Sequence, residues 1–228
     1  TYAPFWLQSN RNGNISASPY SGNISIGLYK PASQPKRWYD HDFAVQLTGR
    51  VQSKITTPLQ PFQKGFTGYF NQLYAHVRMY CIDITVGIKP VAYESIDPEL
   101  SSGSMIFSGN SQPLPRITIG IDDYVPFPGL YGYMELKGGI THAWMPDNVY
   151  IQGCNLHHKF IGFRFGGDLP VNISYEFHHA AEWGGVSPVY GDVGSDLKSF
   201  LNVFIAQAGG TMINDQANAQ GNHVGSQQ

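Results

Sequence analysis

Alternation of apolar and polar residues with a period of two runs through most of this chain, the pattern of strands that keep one greasy and one wet face. Over residues 42–51, Phe43, Val45, Leu47 and Val51 fall on one side while Asp42, Gln46, Thr48 and Arg50 fall on the other. Residues 73–79 repeat it, with Leu73, Ala75, Val77 and Met79 set against Tyr74, His76 and Arg78, and the phase slips by one at Tyr80 and Cys81. A tight turn accounts for that slip, since Ile82, Ile84, Val86 and Ile88 then oppose Asp83, Thr85 and Lys89 until Pro90 ends the run. A second hairpin is predicted about Gly166, Gly167, Asp168, Leu169 and Pro170. Ile161, Phe163 and Phe165 precede it, Val171, Ile173, Tyr175 and Phe177 follow, and Arg164, Asn172, Ser174 and Glu176 share the opposite face. Further strands are predicted over 21–29, 116–121, 131–144 and 197–206, with Glu135 and Lys137 mid-strand on one face. No segment satisfies the helical period, and no repeat of fixed length is present.

Composition sharpens the picture. Only 13% of residues are charged, whereas 14% are aromatic and 26 are glycine, so something other than ions has to cover much of the outside. A lipid-facing surface meets that need. No stretch approaches the roughly 18 uninterrupted apolar residues of a membrane helix, so a bilayer would be crossed by strands. Long Pro-, Gly- and Ser-rich connections at 96–115, 145–155 and 181–196 contrast with short hairpin turns, the distribution of a bacterial barrel whose long loops face outward. The expected architecture is all-β: an antiparallel transmembrane β-barrel of outer-membrane type, one domain over residues 1–228, monomeric, with about ten strand segments. Inside such a barrel Arg50, Arg78, Glu135, Lys137, Arg164 and Glu176 are expected to line the lumen, as ion pairs or as contacts to a plug.

Several chemistries find little footing. A formal charge of −2 and the absence of a dense basic run argue against nucleic acid as a partner. Cys81 and Cys154 allow one disulfide without requiring it and form no CxxC pair. The first residues carry neither a basic nor an apolar leader segment, as in a mature chain, a cytoplasmic chain or a fragment. His157 with His158 and His178 with His179 are neighbours that point to opposite faces, so neither pair chelates a metal alone. Counting outward from Asp168 sets His158 opposite His178 on the polar face and His157 opposite His179 on the apolar one, and cross-strand packing is the favoured reading. Asp97 with Glu99, Asp122 with Asp123, and Glu182 with Asp192 are the carboxylate pairs a glycosidase would need, but such loop residues usually form turns or stay solvated. No nucleophile elbow or phosphate-cradling loop is present, and neither catalysis nor a cofactor is expected. Trp38, Trp144 and Tyr131 suit membrane-interface anchors, while Trp183, Tyr190 and Asp192 offer the aromatic face and hydrogen-bonding groups that a pyranose ring takes.

Five phrases in fixed order carry a resemblance: YAPFWLQSN at 2–10, DPELSSGS at 97–104, SGN at 108–110 leading into PLPR at 113–116, WGGVSPVYGD at 183–192 and GNHVGS at 221–226. Together they resemble the Wzi-type capsule assembly proteins over nearly the whole chain. That resemblance implies a bacterial outer-membrane barrel of about eighteen strands, lectin-like and non-catalytic, which binds capsular polysaccharide and organises it at the surface. About ten strand segments and a last stretch without a terminal aromatic strand depart from the full pattern, so the chain is expected to be its N-terminal part. The expected glycan contacts are Trp183, Tyr190, Asp192, Asn110, Asp97 and Glu99. A general outer-membrane channel and a soluble β-sandwich lectin or glycoside hydrolase are the rival readings.

Overall fold

The computed structural model describes residues 4–16, 18, 20–34, 37–53, 65–90, 109–147, 151–189 and 191–207. Eight long strands succeed one another: β1 Ser21–Lys30, β2 Tyr39–Gln52, β3 Phe66–Met79, β4 Ile82–Ile88, β5 Pro115–Pro126, β6 Met134–Trp144, β7 Asn155–Phe165 and β8 Ile173–Trp183. They lie in one sheet in chain order, and every pair of defined register is antiparallel. The sheet is open, with β1 and β8 at its ends and no pairing between them among the described residues. A short helix, α1 Phe5–Gln8, precedes β1; β9 Val186–Ser187, β10 Gly191–Asp192 and helix α2 Leu197–Phe204 follow β8. Contacts divide the chain into two compact units, Thr1–Val77 with Thr85–Pro115 and Arg78–Ile84 with Arg116–Gln228.

The antiparallel all-β expectation holds, and most predicted strands form, several of them longer than the alternation alone marks. Tyr80 takes a left-handed φ of 56° in the turn between β3 and β4, and Gly166 and Gly167 take φ of 138° and 55° between β7 and β8. One predicted strand is wrong. Residues 197–206 fold mainly as α2, and the expectation that no helix is present fails with it. Leu197, Leu201, Val203 and Ile205 fall on alternate positions and so mimic a strand, but Asp196 caps the segment by accepting a 3.0 Å hydrogen bond from Ser199 N–H. Leu197, Phe200, Leu201 and Phe204 then recur at helical spacing.

The two faces of the strands are exposed in the reverse of the soluble order. On β2, Val45, Leu47 and Val51 are exposed while Asp42 and Thr48 are buried. On β1, Ile24, Ile26 and Leu28 are all at least 69% exposed, and Ile26 and Leu28 lie opposite Leu47 and Val45. On β6, β7 and β8, Ile140, Ile161 and Phe177 are exposed and Lys137, Thr141 and His158 buried. Left in water, each such large apolar side chain forgoes about 1.5–3 kcal/mol of burial.

The cap of α2 makes a pH dependence testable. Asp196 is exposed, and hydrogen bonds from Ser199, side chain first and backbone second, hold its carboxyl below the usual carboxylate range. A carboxyl whose pKa falls on folding stabilises above its unfolded value and stops doing so as pH drops through the folded one. Protection of the Ser199 amide against hydrogen exchange, corrected for intrinsic rate, is therefore expected to be flat near neutrality and to decline in acid. Asp196→Ala should lack that protection at every pH, as exchange measured by NMR would reveal.

Candidate functional site

The covered polar face of β5–β8 carries a continuous ladder of partners. Lys137 on β6 lies opposite Gly162 on β7, which in turn lies opposite Glu176 on β8. Because Gly162 has no side chain, the lysine reaches across the middle strand, and its ammonium meets the Glu176 carboxylate at 2.5 Å. A Cβ on Gly162 would stand 3.1 Å from the lysine stem and 3.2 Å from the glutamate stem. Glu176 also accepts from the Tyr124 hydroxyl at 3.3 Å and contacts His178 at 3.1 Å, and His178 in turn meets His158 at 3.1 Å. The Tyr124 ring lies 4.7 Å from the Lys137 ammonium and 4.5 Å from the Arg164 guanidinium. Arg164 donates to Glu135 at 2.5 Å, its direct neighbour across β6 and β7. Arg78, in the same unit, grips Asp83 through two hydrogen bonds of 2.8 and 3.0 Å and pairs with Asp123 at 2.7 Å.

The other unit holds Arg50, which donates to the Gly13 carbonyl and, at 2.6 Å, to the Tyr69 hydroxyl, with its guanidinium 4.9 Å from that ring. Gly13 belongs to the turn at residues 9–14, so Arg50 ties that turn to β2. Asn110 ties down the same segment: its side-chain oxygen accepts from Asn10 N–H at 2.9 Å, and Asn12 N–H donates to Gly109 at 2.7 Å. The first and third resembling phrases are thereby stitched together. Asp42 is a site residue that sequence reasoning left unmarked. It pairs with His76 and with Lys89 at 3.4 Å.

The histidine register needs correction. The turn centres on Leu169, not Asp168, so His158 lies opposite Ala180 and His157 opposite Ala181. A displacement of two residues preserves the faces, so His158 still meets His178 diagonally, and His157 still shares its face with His179 at a ring separation of 6.2 Å.

Of the expected glycan contacts, Tyr190, Asp97 and Glu99 lie outside the described residues. Trp183 is the last residue of β8, not a loop residue beyond it. Its ring packs against Phe200 at 5.3 Å and His142 at 5.7 Å. The loop that follows is built locally. Gly184 and Gly185 take φ of 72° and 88°, and a Cβ on Gly185 would lie 2.5 Å from the Gln152 carbonyl oxygen, so only glycine lets the two loops approach. Val186 and Gln152 exchange both backbone hydrogen bonds, at 2.8 and 3.0 Å, which sews this loop to the connection between β6 and β7. Asp192, exposed on β10, accepts from Gly194 N–H at 2.9 Å and so serves its own turn. Cys154 is buried beneath, a free thiol whose pKa burial pushes up, and Cys81 is free as well.

Comparison with protein-family models, curated proteins and solved structures finds no match. A ladder of mutually satisfied charges can hold strands and fix water, whereas an ordered, glycine-shaped loop with exposed polar edges can meet a neutral or polar chain from outside.

Lys137→Met would leave Glu176 buried without its ammonium, and breaking one side of such a pair costs about 3–5 kcal/mol. Lys137→Met combined with Glu176→Leu should recover most of that loss. Guanidinium unfolding followed by tryptophan fluorescence measures both, and equal losses in the single and double variants would argue against a coupled pair.

Proposed function

We propose that this chain is the N-terminal part of a bacterial outer-membrane β-barrel that holds capsular polysaccharide at the cell surface without catalysing a reaction. The observation that carries the barrel half is the inverted exposure: Lys137, Asp83 and His158 are at most 4% exposed while Phe177 and Ile24 are 62% and 82% exposed. In a soluble sandwich the apolar rows would face inward and the charges would meet water. Strands of 10–14 residues, with β4 the exception at 7, suit a tilted crossing of the hydrocarbon layer. The edges of β1 and β8, unpaired among the described residues, suit a sheet that further strands complete, because closure is how a barrel removes such edges.

The glycan half rests on the ordered phrases that resemble the Wzi-type proteins and on the loops that gather at one end of β6–β8. There the connection between β6 and β7 and the loop after Trp183 are joined by the Gln152 to Val186 hydrogen bonds. Tyr190 and Asp192 are the side chains we assign to the sugar, and Trp183 is the residue that anchors their loop.

Two measurements test the two halves separately. Ile161→Arg, mid-strand on the exposed row, should cost about 2–4 kcal/mol if lipid surrounds it, against about 0.5 kcal/mol or less at an ordinary wet surface. The near-neutral outcome would sink the barrel. Vesicles bearing the intact protein should retain purified capsular polysaccharide and release no new reducing ends, with retention weakened by Tyr190→Ala and Asp192→Ala. Failure to retain it, or steady release of sugar, would remove the binding role and leave the barrel standing.

A further inference from the structure

Helix α2 lies against the apolar face of the sheet. Phe200 is seated among rings from three strands: His142 of β6 at 6.1 Å, His157 of β7 at 5.9 Å and Trp183 of β8 at 5.3 Å. Phe204 adds a contact to His157 at 5.6 Å, and Lys159, on the same face of β7, donates its ammonium to the Phe204 carbonyl oxygen. That places a cation at the negative end of the helix. His142, His157 and His179 continue the rows of Ile140, Ile161 and Phe177, so polar rings would interrupt the apolar face were they not roofed. Both ring nitrogens of His157 and Nε1 of Trp183 are buried with no hydrogen-bond partner among the described residues. The Phe200 ring packs against both His157 and Trp183, and the Phe204 ring against His157.

What the helix turns outward is the informative part. At about 100° per residue, Val203, Phe200, Phe204, Leu197, Leu201 and Ile205 form one unbroken apolar arc, and Lys198 and Asn202 lie beside it on the polar one. Only part of the apolar arc is used by docking: Val203 is buried, but Leu197, Leu201 and Ile205 remain 73%, 50% and 59% exposed. A helix bathed by water would present its polar arc beside the docked edge on both flanks. This one presents exposed Leu197, Leu201 and Ile205 on one sector and, on the sector beside it, Lys198 and Asn202.

We infer that α2 is an in-plane interfacial helix, whose Leu197, Leu201 and Ile205 flank sinks into the acyl boundary of the lipid leaflet while Lys198 and Asn202 face the aqueous side. The inference rests on the barrel reading and extends it: the lipid-contacting surface does not stop at the strand ends but continues onto the helix.

Nitroxide labels at Leu201→Cys, Lys198→Cys and Phe177→Cys, each with the exposed native thiol removed by Cys81→Ser, test it in the intact protein reconstituted into phosphatidylcholine vesicles. All three positions are exposed, so the labels should leave the fold intact. Power saturation should find oxygen several-fold favoured over a water-soluble nickel chelate at 201 and 177, with the reverse at 198. Lipid-like behaviour at 177 with water-like behaviour at 201 would overturn the helix assignment while leaving the barrel in place. Water-like behaviour at 177 as well would overturn both.

Discussion

A lysine ammonium taken out of water has to meet an anion at close range, and on the covered face of β6–β8 that meeting depends on an atom that is missing. Gly162 stands between Lys137 and Glu176, and its bare backbone lets the two side chains touch across an intervening strand. Tyr124, His178, Arg164 and Glu135 join the same group through a hydroxyl, an imidazole and a ring face. The network is expensive to interrupt and cheap to keep, since each member already has what water would have given it. Strand parity does the rest. Once these charges occupy one face, Ile161, Phe177 and their neighbours have no choice but the other.

That forced choice leaves large apolar side chains on the outside. Rows such as Ile24, Ile26 and Leu28 in one unit and Ile161 and Phe177 in the other are costly beside water. The loops then acquire their own division of labour. Gly185 permits the close approach of two connections, Trp183 and Phe200 wedge the base of the loop, and Asp192 shapes a turn. A scaffold braced in this way holds the edges of its loops in fixed positions.

Much of this was legible in the sequence because period two is a physical requirement of a two-faced strand. Asp42, Arg50, Lys137 and Glu176 fall on the polar face by counting alone. What counting missed has identifiable causes. Leu197 to Ile205 satisfies both periods, and only Asp196 with Ser199, a capping pair, breaks the tie in favour of a helix. The hairpin register depended on the turn centre, and a Gly-Gly-Asp-Leu-Pro run offers more than one; misplacing it by a single residue shifted every partner by two while leaving the faces correct. Tyr124 lay beyond the expected end of its strand at Ile121, within a register shift between Ile121 and Val125 that alternation does not announce. The sewing of the Gly185 loop to Gln152 joins residues far apart in sequence, and no local pattern encodes it.

The strand order carries one more consequence, for assembly. Since neighbours in the sheet are also neighbours in the chain, no pair has to close across an intervening strand, and the entropic toll at each step is that of a single connection. Hairpins can add one at a time in the order of synthesis. The outermost backbones, β1 and β8, are where the sheet is most open to joining the wrong neighbour.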